Sequence, residues 1–279
     1  MPLSIIDTPG TVKLSRYDPN ETGGLNKKEV ESRLLPQLAE RRERLQEMLY
    51  AAQQQSVLII LQGMDTSGKD GTIKHVMSGV NPSGCRVWNF KAPSEEELSH
   101  DFLWRVHRAA PPLGMIGIFN RSHYEDVLIA RVRHFVPPKV WKKRYQQIND
   151  FEEMLSENGV LIFKFFLHIS KDEQEERLLA REEDPIKAWK IAVSDWQERV
   201  YWDDYIEAYE EALGKCSTSW APWHIVPANK KWYRNYVVAE ALIEGLEPHA
   251  RGWEKALKER GERSLSELRA YHQQDERKR

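Results

Sequence analysis

Apolar residues along this chain follow two rhythms. Five short runs, Val57–Leu61, Arg86–Phe90, Met115–Phe119, Leu161–Leu167 and His224–Val226, predict strands. Between them the apolar spacing opens to three and four residues. It predicts helices near 72–79, 95–107, 139–156, 171–183 and 229–245. A longer helix from Asn26 to about Gln55 precedes the first run, with Leu34, Leu35, Leu38, Leu45 and Leu49 as its stripe. Ser94 with Glu97 and Ser170 with Glu173 match capping boxes and mark two helix starts. Met1 to Gly24 reads as irregular, punctuated by Thr8-Pro9-Gly10 and by Asn20 to Gly24. Strands alternating with helices predict an α/β fold, a parallel sheet flanked by helices on both faces, with ligands at the carboxyl ends of its strands.

Composition narrows this picture. The 279 residues, 41% hydrophobic, suit one large α/β domain with helical additions. A formal charge of −2 provides no global field toward nucleic acid, and none is expected as a partner. Basic charge is concentrated locally: Arg121 to Arg144 holds seven Lys/Arg against two acidic residues. Cys85 and Cys216 form no CxxC pair, which predicts a reducing, cytoplasmic setting. The first residues lack the basic and apolar regions of a signal peptide. No apolar run approaches the length of a membrane span, so no membrane partner is expected. The chain divides into an N-terminal extension and helix (1–55), a core (56–248) and a charged helix or tail (249–279). Within the core, residues from about 171 to 214 include a helical stretch rich in Trp and Tyr. Aromatics at this density, among them Trp189, Trp196, Tyr201, Trp202, Tyr205 and Tyr209, are mostly packing residues.

The first apolar run leads into Gln62-Gly-Met-Asp-Thr-Ser-Gly-Lys-Asp-Gly-Thr72, a Gly-x-x-x-x-Gly-Lys loop between a strand and a helix. Gly63, Gly68 and Gly71 let the backbone curl, so that amides along Met64, Thr66 and Ser67 converge on phosphate oxygens. The following helix start adds partial positive charge, and Lys69 adds a full one. Two features depart from the common pattern. Asp70 stands where a metal-binding Ser or Thr is usual, and its place in the first helical turn suits a structural role. Asp65 lies inside the loop, where its carboxylate would repel phosphate unless a cation intervenes. It therefore reads as a magnesium ligand or as a group that orients the attacking phosphate, with loop hydrogen bonding as the plainer alternative.

The third run ends in Asn120-Arg121-Ser-His-Tyr-Glu-Asp126. Asn120 stands where phosphate-loop kinases place a polar residue near magnesium, and Arg121 offers a planar fork to the same phosphates. The competing expectation pairs Arg121 with Glu125 or Asp126. His123, in a strand-to-helix turn, reads as a packing residue. Arg177 and Arg181 share a helix face, with Glu173 able to satisfy Arg177. With Lys187 and Lys190 they resemble the basic lids of nucleotide kinases, against the alternative of a solvated charged surface.

Four segments together resemble polyphosphate kinase family 2: Gly-Met-Asp-Thr-Ser-Gly-Lys-Asp-Gly, Phe-Asn-Arg-Ser-His-Tyr-Glu-Asp, Arg-Glu-Glu-Asp-Pro-Ile-Lys-Ala-Trp-Lys and Ala-Pro-Trp-His-Ile-Val-Pro-Ala-Asn-Lys-Lys. The likeness spans roughly residues 25 to 248. It implies a phosphate-loop kinase fold similar to thymidylate kinase with a helical lid over about 171–214. It also implies Mg²⁺-dependent phosphoryl exchange between inorganic polyphosphate and nucleotides, with Mn²⁺ as an alternative ion. By position, Asp65, Lys69, Arg121 and Arg181 would be catalytic, with Asp65 on the metal. Asn120 and Glu125 look like the class accepting both AMP and ADP, yielding ADP and ATP; Arg177 and Lys187 would contact nucleotide. Polyphosphate needs a basic track, for which Lys74, Arg131, Arg133, Lys142, Lys143 and Arg144 are candidates. The family also implies a homodimer or homotetramer. The competing activity is an ATP-dependent nucleoside monophosphate kinase, and a non-catalytic nucleotide sensor is a further alternative.

Overall fold

The computed structural model describes residues 4–6, 8–184 and 192–276. In chain order the strands are β1 (Ser4–Ile6), β2 (Ser56–Gln62), β3 (Cys85–Asn89), β4 (Ile116–Asn120), β5 (Val160–His168) and β6 (Trp223–Pro227). The helices are α1 (Lys27–Glu29), α2 (Leu35–Ala52), α3 (Lys69–Val76), α4 (Glu95–Leu98), α5 (Trp104–Ala109), α6 (Ile129–Val132), α7 (Pro138–Glu157), α8 (Lys171–Glu182), α9 (Val193–Glu198), α10 (Trp202–Lys215) and α11 (Lys231–Glu276). The sheet order is β1-β6-β5-β2-β4-β3. All pairings are parallel except β1 with β6.

Every residue of β2 is buried, as a central strand between β4 and β5 requires. Successive β5 side chains face opposite helical layers. Phe163 packs on Gly245 of α11, where a Cβ would clash with its ring, and Lys164 reaches Glu152 of α7 on the other side. The β2–β4 register sets Leu61 opposite Asn120. The loops leaving these two strands are therefore neighbours at the carboxyl edge, although about 55 residues of chain separate them.

Besides splitting the helix expected near 95–107 into α4 and α5, the structure departs from the sequence reading in three places. Residues 4–6 form an antiparallel edge strand instead of irregular chain. The following segment is fixed by Gly10 N–H to Gly214 O (2.9 Å) and Leu14 N–H to Glu210 (2.8 Å). The helix expected over 26–55 holds a π turn at Val30–Leu34 just before Pro36, whose ring cannot fit the regular ladder. The helix expected to end near 245 runs on to Glu276 through Pro248. Beyond the proline, Trp253 is fully buried and donates to Gln55 (2.9 Å), which anchors the continuation.

Candidate active site

The segment 63–68 is shaped by where its carbonyls go. Lys69 Nζ donates to Gly63 O (2.7 Å) and Met64 O (3.2 Å). Gln174 of α8 donates to Asp65 O (3.1 Å) and Arg177 to Thr66 O (2.8 Å). Arg234 of α11 lies 3.4 Å from Ser67 O. Five consecutive carbonyls are thus drawn inward by donors from three places in the chain, a pattern that presents loop amides to the opposite side. Gly63 at φ 150°, Thr66 at 64° and Gly68 at 101° supply the necessary curl. Helix α3 then begins at Lys69 with no side-chain cap, so its first N–H groups are open to an anion. Among the described residues the buried hydroxyls of Thr66 and Ser67 find no partner. A ligand rich in oxygen would satisfy the open amides at the start of α3.

The loop after β4 supplies the facing groups. Arg121, at φ 61°, donates to Asp65 Oδ1 (2.8 Å) and lies 3.9 Å from Glu125. The Arg121 and Asp65 side chains remain 40% and 30% exposed, so the pair is accessible to a ligand. Glu125 foremost, joined by Asp65, holds the guanidinium firmly charged against the opposing effect of burial. Burial pushes the Glu125 carboxyl up, while Arg121 and Lys69 pull it down. Burial, reinforced by Arg121, lowers the Lys69 ammonium to about 8, with Asp65, Glu125 and Asp70 opposing. Asn120 donates to Asp70 (2.9 Å) and Asn89 (2.8 Å), tying the edge of the sheet to α3.

Beneath this loop lies a group that the sequence reading missed. Lys164 is fully buried and donates to Glu152 (2.5 Å), Tyr124 OH (2.9 Å) and Cys216 O (2.5 Å). Tyr124 OH also donates to Glu152 (2.9 Å), and His123 Nε2 lies 3.1 Å from it. Burial favours protonation of Glu152, but Lys164 and His123 outweigh it and hold the carboxyl low. The two residues between Arg121–Ser122 and Glu125 are therefore rooted in a buried ion pair. His123 is a packing residue there. The legible signal was Lys164 itself, a lone cation inside an apolar strand.

The structure corrects several assignments. Arg177, expected to touch nucleotide, is buried and saturated by Glu173 (2.7 Å) and the carbonyls of Thr66, Ala228 and Asn229 (2.7–3.0 Å). Glu173 serves Arg177, so the Ser170 capping box is only half made, with Asn229 taking the Ser170 N–H. Arg131, expected on the phosphate track, is paired with Glu207 and Glu211 (both 2.5 Å). Arg133 lies 3.5 Å from Glu198 and over the Tyr201 ring. Arg144 is held by Asp126 (3.0 Å), which accounts for that carboxylate in place of Arg121. These cations are spoken for by the fold. Lys74, Lys142 and Lys143 are exposed, and Arg181 is half-buried in the last turn of α8. Lys187, Trp189 and Lys190 lie outside the described residues.

Among the described residues no three acidic, His or Cys groups gather as a metal cage. Magnesium does not require one, since it keeps several waters and takes one or two carboxylates plus substrate phosphates. Asp65 fits that mode, with one oxygen on Arg121 and the other open to a cation.

These features have counterparts in known proteins. The family described as polyphosphate kinase 2 matches residues 25–252. The AMP/ADP-polyphosphate phosphotransferase of Meiothermus ruber is 51% identical over 243 residues, 87% of this chain and 91% of the relative. The ADP-polyphosphate phosphotransferase of Rhodopseudomonas palustris is 48% identical over 232 residues, 79% of this chain and 80% of the relative. The crystal structure of polyphosphate kinase 2 from Arthrobacter aurescens has a TM-score of 0.82 at 43% identity, covering 87% of this chain and 92% of that one.

Proposed function

The chain belongs to the polyphosphate kinase 2 family, and we propose that it moves phosphoryl groups reversibly between inorganic polyphosphate and AMP or ADP, giving ADP and ATP. The observation that carries this reading is the carboxylate of Asp65 inside the phosphate loop, facing Arg121 at 2.8 Å. An ATP-dependent kinase of this fold commonly places its metal-binding hydroxyl after the lysine, where this chain has Asp70.

Both substrates are polyanions, and the attacking AMP phosphate oxygen is already ionised near neutral pH, the second phosphate pKa being about 6. The protein therefore needs no general base; repulsion between substrates is the obstacle. Lys69 is placed to exchange its loop carbonyls for oxygens of the transferred phosphate. Arg121 supplies a forked cation from the facing loop, and Arg181 one from the end of α8. Magnesium, held by Asp65 together with water and substrate oxygens, would neutralise charge and align donor with acceptor. A nucleotide oxygen then bonds to the terminal phosphorus as the P–O–P bridge breaks, releasing a chain shorter by one phosphate. The two free thiols suit a reducing cytosol.

A donor swap tests the reading. With AMP as acceptor, polyphosphate should yield ADP and then ATP, while ATP supplied as sole donor should be far slower in phosphorylating AMP. Faster transfer from ATP would overturn it. A pH profile tests the loop. Charged Lys69 should support capture of polyphosphate by free enzyme, so kcat/KM for polyphosphate should fall as pH rises through about 8. Saturating polyanion favours the charged ammonium, so kcat should hold to higher pH. A kcat/KM that stays flat past pH 9 would remove Lys69 from capture. The linked stability runs the other way. The unfolded chain binds more protons at this lysine between about pH 8 and its ordinary value of 10.5, so folding gains stability as pH rises through that window.

A further inference from the structure

Arg234, in the first turn of α11, is 3% exposed. Its guanidinium presses on the phosphate loop from behind. A Cβ at Gly68 would collide with Nη1, and one at Gly71 would come within 3.2 Å of Nη2. The polar contacts of the head are Ser67 O (3.4 Å) and Asn235 Oδ1 (2.9 and 3.2 Å). Among the described residues no carboxylate pairs with it. Burial, reinforced by Arg177, lowers it to about 10, and no acid opposes them. Arg177, by contrast, has Glu173. His75 of α3 is likewise kept from protonating, by burial first and then by Arg42 and Arg234.

A buried guanidinium that stays charged and lacks a counter-ion is costly in the folded state. The uncapped start of α3 and the orphaned Thr66 and Ser67 hydroxyls belong to the same turn. Resting on the reading that this loop binds polyphosphate, we propose that Arg234 is a positioning residue of the phosphate site: it braces Ser67 and Gly68 from behind, and its fixed charge is compensated through the loop by the bound phosphate chain. The small size of Gly68 and Gly71 is what lets the guanidinium come this close.

Thermal unfolding of the full chain, with and without inorganic tripolyphosphate and Mg²⁺, separates this role from a purely structural one. Wild type should gain Tm with tripolyphosphate. Arg234→Met should keep its ligand-free Tm, having lost an uncompensated charge, and should show less than half of the wild-type ligand-induced gain. Arg234→Lys, which keeps the charge, should retain most of it. An Arg234→Met chain that fails to fold, or one that loses ligand-free Tm while keeping the full gain, is the mark of a mere strut and overturns the inference. Absence of any gain in wild type overturns the phosphate-loop reading itself, and the inference with it.

Discussion

Lys69→Ala should reduce kcat with polyphosphate and AMP by about 10³-fold or more, with little change in folding. Removing a single neutral donor aimed at developing transition-state charge costs about 10²–10³-fold; an ammonium at the centre of the loop carries more. Among the described residues its hydrogen bonds go to the carbonyls of Gly63 and Met64. Met64 O also accepts from Ser67 N–H (3.1 Å), so the turn keeps part of its own support when the side chain is cut. Asp65→Ala should cost a comparable factor for a different reason. It frees Arg121 from its 2.8 Å partner and removes the proposed magnesium ligand, so half-maximal activity should need more Mg²⁺. Steady-state rates across a magnesium titration read both effects. Near-normal turnover in either variant would contradict the assignment.

Lys164→Met should destabilise the protein by about 3–5 kcal/mol, the usual cost of stripping one partner from a buried ion pair. Glu152 would then hold a carboxylate in a fully buried site with, among the described residues, Tyr124 and His123 left as donors. At roughly 2–4 °C per kcal/mol for a domain of 150–250 residues, the fall in Tm should be on the order of 10 °C. The double variant Glu152→Gln/Lys164→Met leaves no bare charge and should recover most of that loss. A single variant as stable as wild type would show that the pair does not anchor the Ser122–Glu125 turn. Calorimetry at pH 7 decides between these outcomes.

The core of the fold was readable because its signals are local. An apolar run beside Gly-x-x-x-x-Gly-Lys fixes strand, turn and helix within about twenty residues, and the Ser94 capping box formed as its spacing predicts. What sequence could not show were partners distant along the chain. Arg177 reads as a nucleotide contact with Glu173 as its local partner until the fold delivers the carbonyl of Thr66, 111 positions away. Arg131 looks available until Glu207 and Glu211 arrive on α10. Ser4–Ile6 is too short to carry a period, and its strand exists because the β6 edge is there to pair with. Pro248 reads as a stop because local rules cannot weigh the burial of Trp253 five residues later.

The carbonyl anchoring of the phosphate loop also bears on motion. Gln174 and Arg177 bind the loop from the first two turns of α8, and Arg181 projects from the same helix one turn further on. A swing of the whole helix would tear Asp65 and Thr66 out of shape. Should Arg181 travel onto substrate as proposed, it would have to pivot beyond Arg177, which gives this arginine a short leash and leaves the first two turns of α8 a stationary wall behind the loop.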